Sequence, residues 1–191
     1  MTRLLLSLAE SGFIPDALIK IAARFISNRR LNEQSVDDNK DFIITELSKG
    51  AVAEKTHDAN EQHYEVPPEF FNYVLGENHK YSCALFDNAD SLDDAEESML
   101  KLYIDRADIK DGHEVLDLGC GWGSFSLYVA EKFPNLNITS VSNSNDQITY
   151  IQSEAHKRGL SNINALKMDV NNLQLDQKFD RIISIEMFEH C

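Results

Sequence analysis

The chain has 191 residues, of which 42% are apolar and 26% are charged, and its formal net charge is −14. This composition is typical of a folded globular protein, and it excludes a disordered tail, a collagen-like repeat and a membrane bundle. The acidic excess argues against nucleic acid or an anionic membrane surface as the main partner, because both attract Lys and Arg.

No apolar stretch approaches the ~18 residues that a membrane span needs. The three cysteines, Cys83, Cys120 and Cys191, are too few and too scattered for a disulfide framework or a zinc site. No metal site is therefore expected, and a reducing compartment is the default for such a chain. We expect a cytoplasmic protein without a transmembrane segment.

The first part of the chain is predicted to be helical. Apolar residues recur at helical spacing over 3–30 and again over about 40–56, and a polar loop over 31–41 separates the two segments. Pro68 suits the first turn of a third helix. A fourth helix is predicted over 92–109, and its residues at core spacing are Met99, Leu102, Tyr103 and Ala107.

From residue 113 onward the pattern becomes β-α-β-α-β-β. Strands are predicted over 114–118, 137–142, 163–168 and 179–185, with helices over 124–133 and 145–158. Strands that alternate with helices indicate an α/β fold with a parallel, doubly wound sheet. In such a sheet, ligands bind in the crevice at the carboxyl ends of the strands.

A glycine-rich turn, Asp117-Leu118-Gly119-Cys120-Gly121-Trp122-Gly123, follows the first strand. Its GxGxG spacing differs from the GxGxxG of dinucleotide-binding folds, and Ser142-Asn143-Ser144 stands where those folds carry a ribose-binding acid. A Walker P-loop is excluded because no GK[ST] follows the glycines. The remaining candidate is a ligand with adenosine and a compact polar tail, whose ammonium suits Asp117.

This turn resembles the leading signature of the S-adenosylmethionine-dependent methyltransferases. Further motifs occur in the matching order, and together they resemble the cyclopropane-fatty-acid-synthase superfamily, most closely its coclaurine N-methyltransferase-type branch. The motifs are His63-Tyr64-Glu65, Lys80 through Phe86, Asp117 through Ser124, Val141 through Ser144 with Gln147, and Glu186 through His190.

The resemblance implies a Rossmann-like class I methyltransferase sheet with an N-terminal helical cap. Residues 1–90 would form the cap and a cofactor lid, and residues 91–191 would form an S-adenosylmethionine-binding half domain. Because the family's sheet continues through three more strands, we expect the chain to be an amino-terminal fragment that ends after the fourth strand and is inactive alone.

The resemblance also implies roles for individual residues toward S-adenosylmethionine. Tyr81 and Ser82 would lie near the methionine tail, which the backbones of Gly119 and Gly121 would contact. Asn143 and Gln147 match the ribose and adenine contacts. Asp169 would accept from the adenine amino group, and Val170 would pack on the ring.

Glu186, Glu189 and His190 follow the fourth strand and are predicted to bind the methyl acceptor. If the chain turns helically after Ile185, their i, i+3, i+4 spacing places them on one face. Two carboxylates and an imidazole suit the methylation of an amine, which arrives largely as an ammonium. The carboxylates would orient the ammonium, and His190 would relay its proton.

Two alternatives remain at this point. In the superfamily's lipid-modifying enzymes, a Cys and a Glu that correspond to Cys83 and Glu189 take part in a bicarbonate site, and a Gly usually replaces Glu186. Lipid cyclopropanation or methylation is therefore the first alternative, although we expect Cys83 to be a buried core residue. A cofactor-binding fragment without catalysis is the second.

Overall fold

The computed structural model describes residue 12 and residues 14–34, 44–45, 48–53 and 68–188. The chain divides into two compact units, residues 1–50 and 51–191. In the first unit, helix α1 spans Asp16–Gln34, four residues into the segment that was expected to be a loop. The next predicted helix was too long at its end, because residues 48–53 form turns and bends rather than helix.

A four-stranded parallel sheet organises the second unit. Its strands are β1 (Glu114–Leu118), β2 (Asn137–Ser142), β3 (Ile163–Lys167) and β4 (Arg181–Ile183). They lie in the order β3-β2-β1-β4, and every neighbouring pair is parallel. The chain therefore moves outward from β1 to β3 and returns to the other side of β1. This reversal creates a switch-point crevice between β1 and β4.

The helices of this unit surround the sheet's strands in sequence. They are α2 (Pro68–Val74), α3 (Leu92–Arg106), α4 (Ser124–Lys132) and α5 (Asn145–Arg158), and a short 3₁₀ turn spans Val170–Asn172. Gly159 ends α5 in the left-handed conformation, as its position in the sequence predicts. The predicted βαβαβ order is confirmed, and each boundary after residue 110 lies within two residues of the expected one except in β4.

The main core lies between α3, α4 and the sheet. Its buried members include Leu100, Ile104, Val115, Phe125 and Val129. The face predicted for α3 was wrong by about one position, because Met99 and Tyr103 are only half-buried. The fully buried position is taken instead by Glu96, whose carboxylate accepts from the backbone of Gly76 and Asn78. A pattern of apolar residues cannot anticipate a buried carboxylate.

The opposite face of the sheet is covered mainly by irregular chain. Leu116, Leu118 and Val141 pack against partly buried residues that lie largely between β3 and β4, among them Met168, Leu173, Leu175 and Phe179. Within the described ranges, no helix is both long enough and apolar enough to cross a membrane. The same residues contain no group of three or more His, Cys, Asp or Glu side chains arranged to hold a metal ion.

Strand β4 is shorter than the apolar run 179–185 predicts. The Ser184 hydroxyl donates to the Leu118 carbonyl at 2.9 Å, in the region where the ladder to β1 ends. Ile182 is 64% exposed, so one face of this strand lacks the burial that its apolar sequence predicts. The short strand nevertheless sets the side of β1 on which residues 184–188 emerge.

Candidate functional site

The glycine loop between β1 and α4 is held from below by β2, since the N–H groups of Gly119 and Cys120 both donate to the Val141 carbonyl. Gly119 and Gly121 have φ angles of +81° and +53°, in the region that favours glycine. A Cβ on Gly119 would lie 2.6 Å from the Met187 Sδ, whereas a Cβ on Gly121 would meet nothing within 4 Å. The loop is therefore open to a ligand at Gly121.

Helix α4 begins directly at this loop. Its N-cap is Gly123, and no side-chain hydrogen bond caps the helix there. The N–H groups of a first helical turn have no partner within the helix, and together with the helix dipole they favour an anionic group. The loop and helix start therefore suit a carboxylate-bearing tail.

Asp117 lies at the end of β1 but does not face solvent. It is 2% exposed, and its carboxylate accepts a 2.6 Å hydrogen bond from Ser126, which in turn accepts from Ser140. Burial raises the pKa of Asp117 to about 6, and the Ser126 hydrogen bond opposes the rise. The carboxylate is thus engaged within the protein, and its direct contact with a ligand ammonium stays a prediction.

The end of β2 and the start of α5 form a hydrogen-bonded corner. The Ser142 hydroxyl donates to the Gln147 Oε1 at 2.6 Å and accepts from the Ser144 N–H. Gln147 is 2% exposed, and its Nε2 has no hydrogen-bond partner in the described part of the protein. Because a buried donor without a partner is energetically costly, this amide is a candidate ligand contact. Asn143, half-buried, lies in the same corner.

The end of β3 places the next two predicted residues. The Asp169 carboxylate accepts from the Asn171 N–H at 2.8 Å and caps the 3₁₀ turn. Val170 packs on the apolar cluster of Leu116, Leu118 and Val141. Both residues follow the strand next to β2, and the roles of both toward adenine stay predictions.

An aromatic cluster joins residues 70–81 to the glycine loop. The Phe71 ring lies 5.5 Å from the Tyr81 ring and 5.0 Å from the Trp122 ring, and Trp122 in turn contacts Tyr150 of α5 at 5.5 Å. Phe71 and Trp122 are almost fully buried, whereas Tyr81 is 50% exposed. Such edge-on ring contacts add to the area that the rings bury. They keep Tyr81 close to the loop while one side of it remains accessible.

The most polar part of the site brings Glu186 to the 80–83 segment. The Cys83 N–H donates to the Glu186 carboxylate at 2.9 Å, although 103 residues separate them. Burial raises the pKa of Glu186, but the hydrogen bonds from the Cys83 side chain and backbone and the Lys80 charge outweigh it, so the net pKa is lowered. Glu186 is exposed and is therefore an anionic, accessible group at neutral pH.

Cys83 is not the core residue that the sequence suggested. It is exposed and free, and its hydrogen bond to Glu186, followed by burial, raises the pKa of its thiol. The reason is backbone geometry: the Cys83 N–H and carbonyl are both directed at polar partners, Glu186 and Lys80. A segment anchored through its backbone leaves this side chain at the surface.

The helical face proposed for Glu186, Glu189 and His190 does not form at its first member. Glu186 has a φ of +51°, in the left-handed region, and helical structure starts only at Phe188. A left-handed residue interrupts a right-handed helix, so the i, i+3, i+4 argument fails for Glu186. Glu189, His190 and the motif His63-Tyr64-Glu65 lie outside the described residues.

Sequence reasoning missed two residues at the centre of this site, Lys80 and Tyr103. Lys80 is 2% exposed, and its ammonium donates to the Tyr103 hydroxyl at 3.3 Å. The available signal was a charged residue directly before the motif Tyr81-Ser82-Cys83. Tyr103 carried no such signal, because its spacing in α3 matches that of an apolar core position.

Comparison with known proteins identifies close relatives of this arrangement. A family model described as mycolic acid cyclopropane synthetase matches residues 52–191. The (S)-coclaurine N-methyltransferase of Thalictrum flavum subsp. glaucum is 40% identical over 193 residues, covering 97% of this chain and 54% of that protein. The cyclopropane-fatty-acyl-phospholipid synthase of Escherichia coli (strain K12) is 34% identical over 129 residues, covering 68% of this chain and 32% of that protein.

A solved structure shows the same fold. The crystal structure of a coclaurine N-methyltransferase bound to N-methylheliamine and SAH matches with a TM-score of 0.83 and 37% identity, over 96% of this chain and 55% of that one. This match confirms the expected methyltransferase-type sheet. The chain spans about half the length of these N-methyltransferase relatives.

Proposed function

Because the chain belongs to the mycolic acid cyclopropane synthetase family, we propose that it serves an S-adenosylmethionine-dependent methyltransferase that methylates an amine nitrogen of a small molecule. The observation that carries this proposal is the exposed, anionic Glu186 held beside the Tyr81–Cys83 segment. A carboxylate in that position attracts an ammonium. The 40% identity to a coclaurine N-methyltransferase supports the same interpretation.

The residues present fit S-adenosylmethionine. The open position at Gly121, the uncapped start of α4 and the buried Gln147 Nε2 without a partner are three features that a ligand with a carboxylate tail and a ribose would satisfy. When bound, S-adenosylmethionine supplies an electrophilic methyl group on its sulfonium. The chain's backbone N–H groups would bind the tail, and Gln147 would donate to the nucleoside.

The acceptor side follows from charge. Glu186 would attract and orient the ammonium of the substrate, and Glu189 and His190 keep the roles predicted for them, the second carboxylate and the proton relay. The amine must lose a proton before its lone pair can attack, and an imidazole titrates in the right range for that step. The cytoplasmic location also stays a prediction.

A radioactive transfer assay tests this proposal. Methyl-tritiated S-adenosylmethionine is incubated with the protein and either coclaurine, a panel of other small amines, or vesicles of unsaturated phospholipid. We expect label in the amine fraction. Calorimetric titration provides an independent arm, in which SAH should bind and NAD should not, because the loop lacks the dinucleotide spacing. Tighter binding of NAD would overturn the cofactor assignment.

Lipid modification is the second candidate, and the exposure of Cys83 beside Glu186 favours it. The E. coli relative named above is a cyclopropane-fatty-acyl-phospholipid synthase. This candidate predicts label only in the lipid fraction, with sensitivity to bicarbonate and to replacement of Cys83. Binding of SAH without transfer to either acceptor would support the remaining alternative, a cofactor-binding fragment without catalysis.

Replacing Glu186 separates its charge from its backbone. Glu186→Gln keeps an oxygen acceptor for the Cys83 N–H but removes the charge, and Glu186→Gly also suits the positive φ. We expect both variants to raise the KM for the amine about tenfold, because each loses a charge-assisted contact. An unchanged KM in both, measured by the transfer assay, would remove Glu186 from the acceptor site.

A further inference from the structure

Lys80 is a buried cation at the junction of the two halves of the site. Its Nζ donates to the Ser82 hydroxyl, to the Cys83 carbonyl at 2.6 Å and to the Tyr103 hydroxyl at 3.3 Å. The ammonium also lies 4.9 Å from the centroid of the Tyr103 ring. Since a lysine ammonium carries three N–H donors, each of them has an oxygen partner.

These contacts bend residues 80–83 around the ammonium. Ser82 belongs to the predicted methionine-tail side of the site, and Cys83 presents its N–H to Glu186 on the predicted acceptor side. Two of the three oxygens that Lys80 binds therefore come from the segment that links both sides. The third comes from α3, which anchors the segment to the main core.

We propose that Lys80 is a positioning residue, whose buried ammonium fixes the 80–83 segment so that the Cys83 N–H is held on the Glu186 carboxylate. Lys80 does not touch the substrate, and it acts on amine binding through Cys83 and Glu186. This inference rests on the proposed function for its kinetic consequence, because Glu186 has an acceptor role only there.

The charge of Lys80 has a second consequence at the same place. It lowers the pKa of Glu186, and the other titratable groups around the ammonium are Cys83, Tyr103 and Glu96. Burial, followed by Cys83 and Glu186, raises the pKa of Tyr103 to about 12, so the phenol stays protonated at neutral pH. Glu186 is thus kept ionised by a cation that is itself shielded from solvent.

The test compares Lys80→Met with Lys132→Met. Lys132 also lies over a tyrosine ring, that of Tyr128, but it is exposed, so its replacement controls for loss of a lysine and of a ring contact. In the protein without ligand, the carboxyl pKa of Glu186 is measured by carbon-13 NMR titration. We expect it to rise in Lys80→Met and to stay unchanged in Lys132→Met. An unchanged Glu186 pKa in Lys80→Met overturns the proposal whether or not the protein methylates amines.

A double-mutant cycle tests whether Lys80 acts through Glu186. With coclaurine as the probe, Lys80→Met should raise KM about tenfold in the wild-type background and have little further effect in Glu186→Gln. Additive effects would overturn the proposal. If Lys80→Met does not fold, Tyr103→Phe removes only the hydroxyl acceptor, and we expect a smaller rise of KM that also vanishes in Glu186→Gln.

Discussion

Replacing His190 by alanine should lower the turnover of amine methylation by about 10² to 10⁴, the usual contribution of a positioned acid–base group. The substrate arrives as an ammonium and must lose its proton before attack, and alanine cannot accept it. Affinity for SAH should stay nearly intact, because the predicted cofactor residues precede residue 171. Single-turnover rates and calorimetric titration measure the two quantities separately.

The exposed His156 of α5 provides the control, since His156→Ala removes an imidazole from the last turn of a helix outside the site. We expect wild-type turnover from that variant. A loss in His190→Ala of less than about threefold would mean that another group takes the proton. A large loss of SAH affinity would mean instead that His190 supports the cofactor side.

Replacing Asp117 by asparagine should change how stability depends on pH by about 3 kcal/mol. The pKa of Asp117 is about 6 in the folded protein because burial disfavours the charge. The folded state therefore binds more protons than the unfolded state between about pH 4 and 6, and the free energy of unfolding falls as pH rises through this window. The Asp117→Asn variant should lack this fall, because an amide does not titrate.

The measurement is denaturant unfolding of the wild type and Asp117→Asn at several pH values. The stability difference between them should grow in favour of the variant, with about half of the ~3 kcal/mol appearing between pH 5 and 7. Any constant offset reports packing and is not part of the prediction. A difference that stays constant with pH would show that Asp117 is ionised normally in the folded protein.

Asp111→Asn is the matched control of opposite sign. Hydrogen bonds from the Asn135 side chain and backbone lower the pKa of the exposed Asp111. Its contribution to stability is therefore present at neutral pH and lost as pH falls. The Asp111→Asn variant should lose stability relative to wild type as pH rises, the reverse of the trend at Asp117.

The sheet and its connections were predictable from the sequence because each element has a local signal. Strands β1, β2 and β3 are apolar runs of five or six residues, and a glycine or a polar corner marks where each helix begins or ends. Parallel strands require crossovers, so the order of elements constrained the topology as well. The glycine spacing likewise distinguished the loop from dinucleotide-binding and P-loop types.

The sequence by itself determined the α/β class, the glycine loop and the set of polar residues at the strand ends. Only the tertiary structure decided how the polar residues combine. The contacts between Cys83 and Glu186, and between Lys80 and Tyr103, join positions 103 and 23 residues apart. Periodicity reports which face of an element is apolar, whereas a buried cation or carboxylate is stable only where distant chain segments supply its partners. For the same reason Glu96 occupies a core position, Cys83 is exposed, and Glu186 leaves the helical path that its spacing suggested.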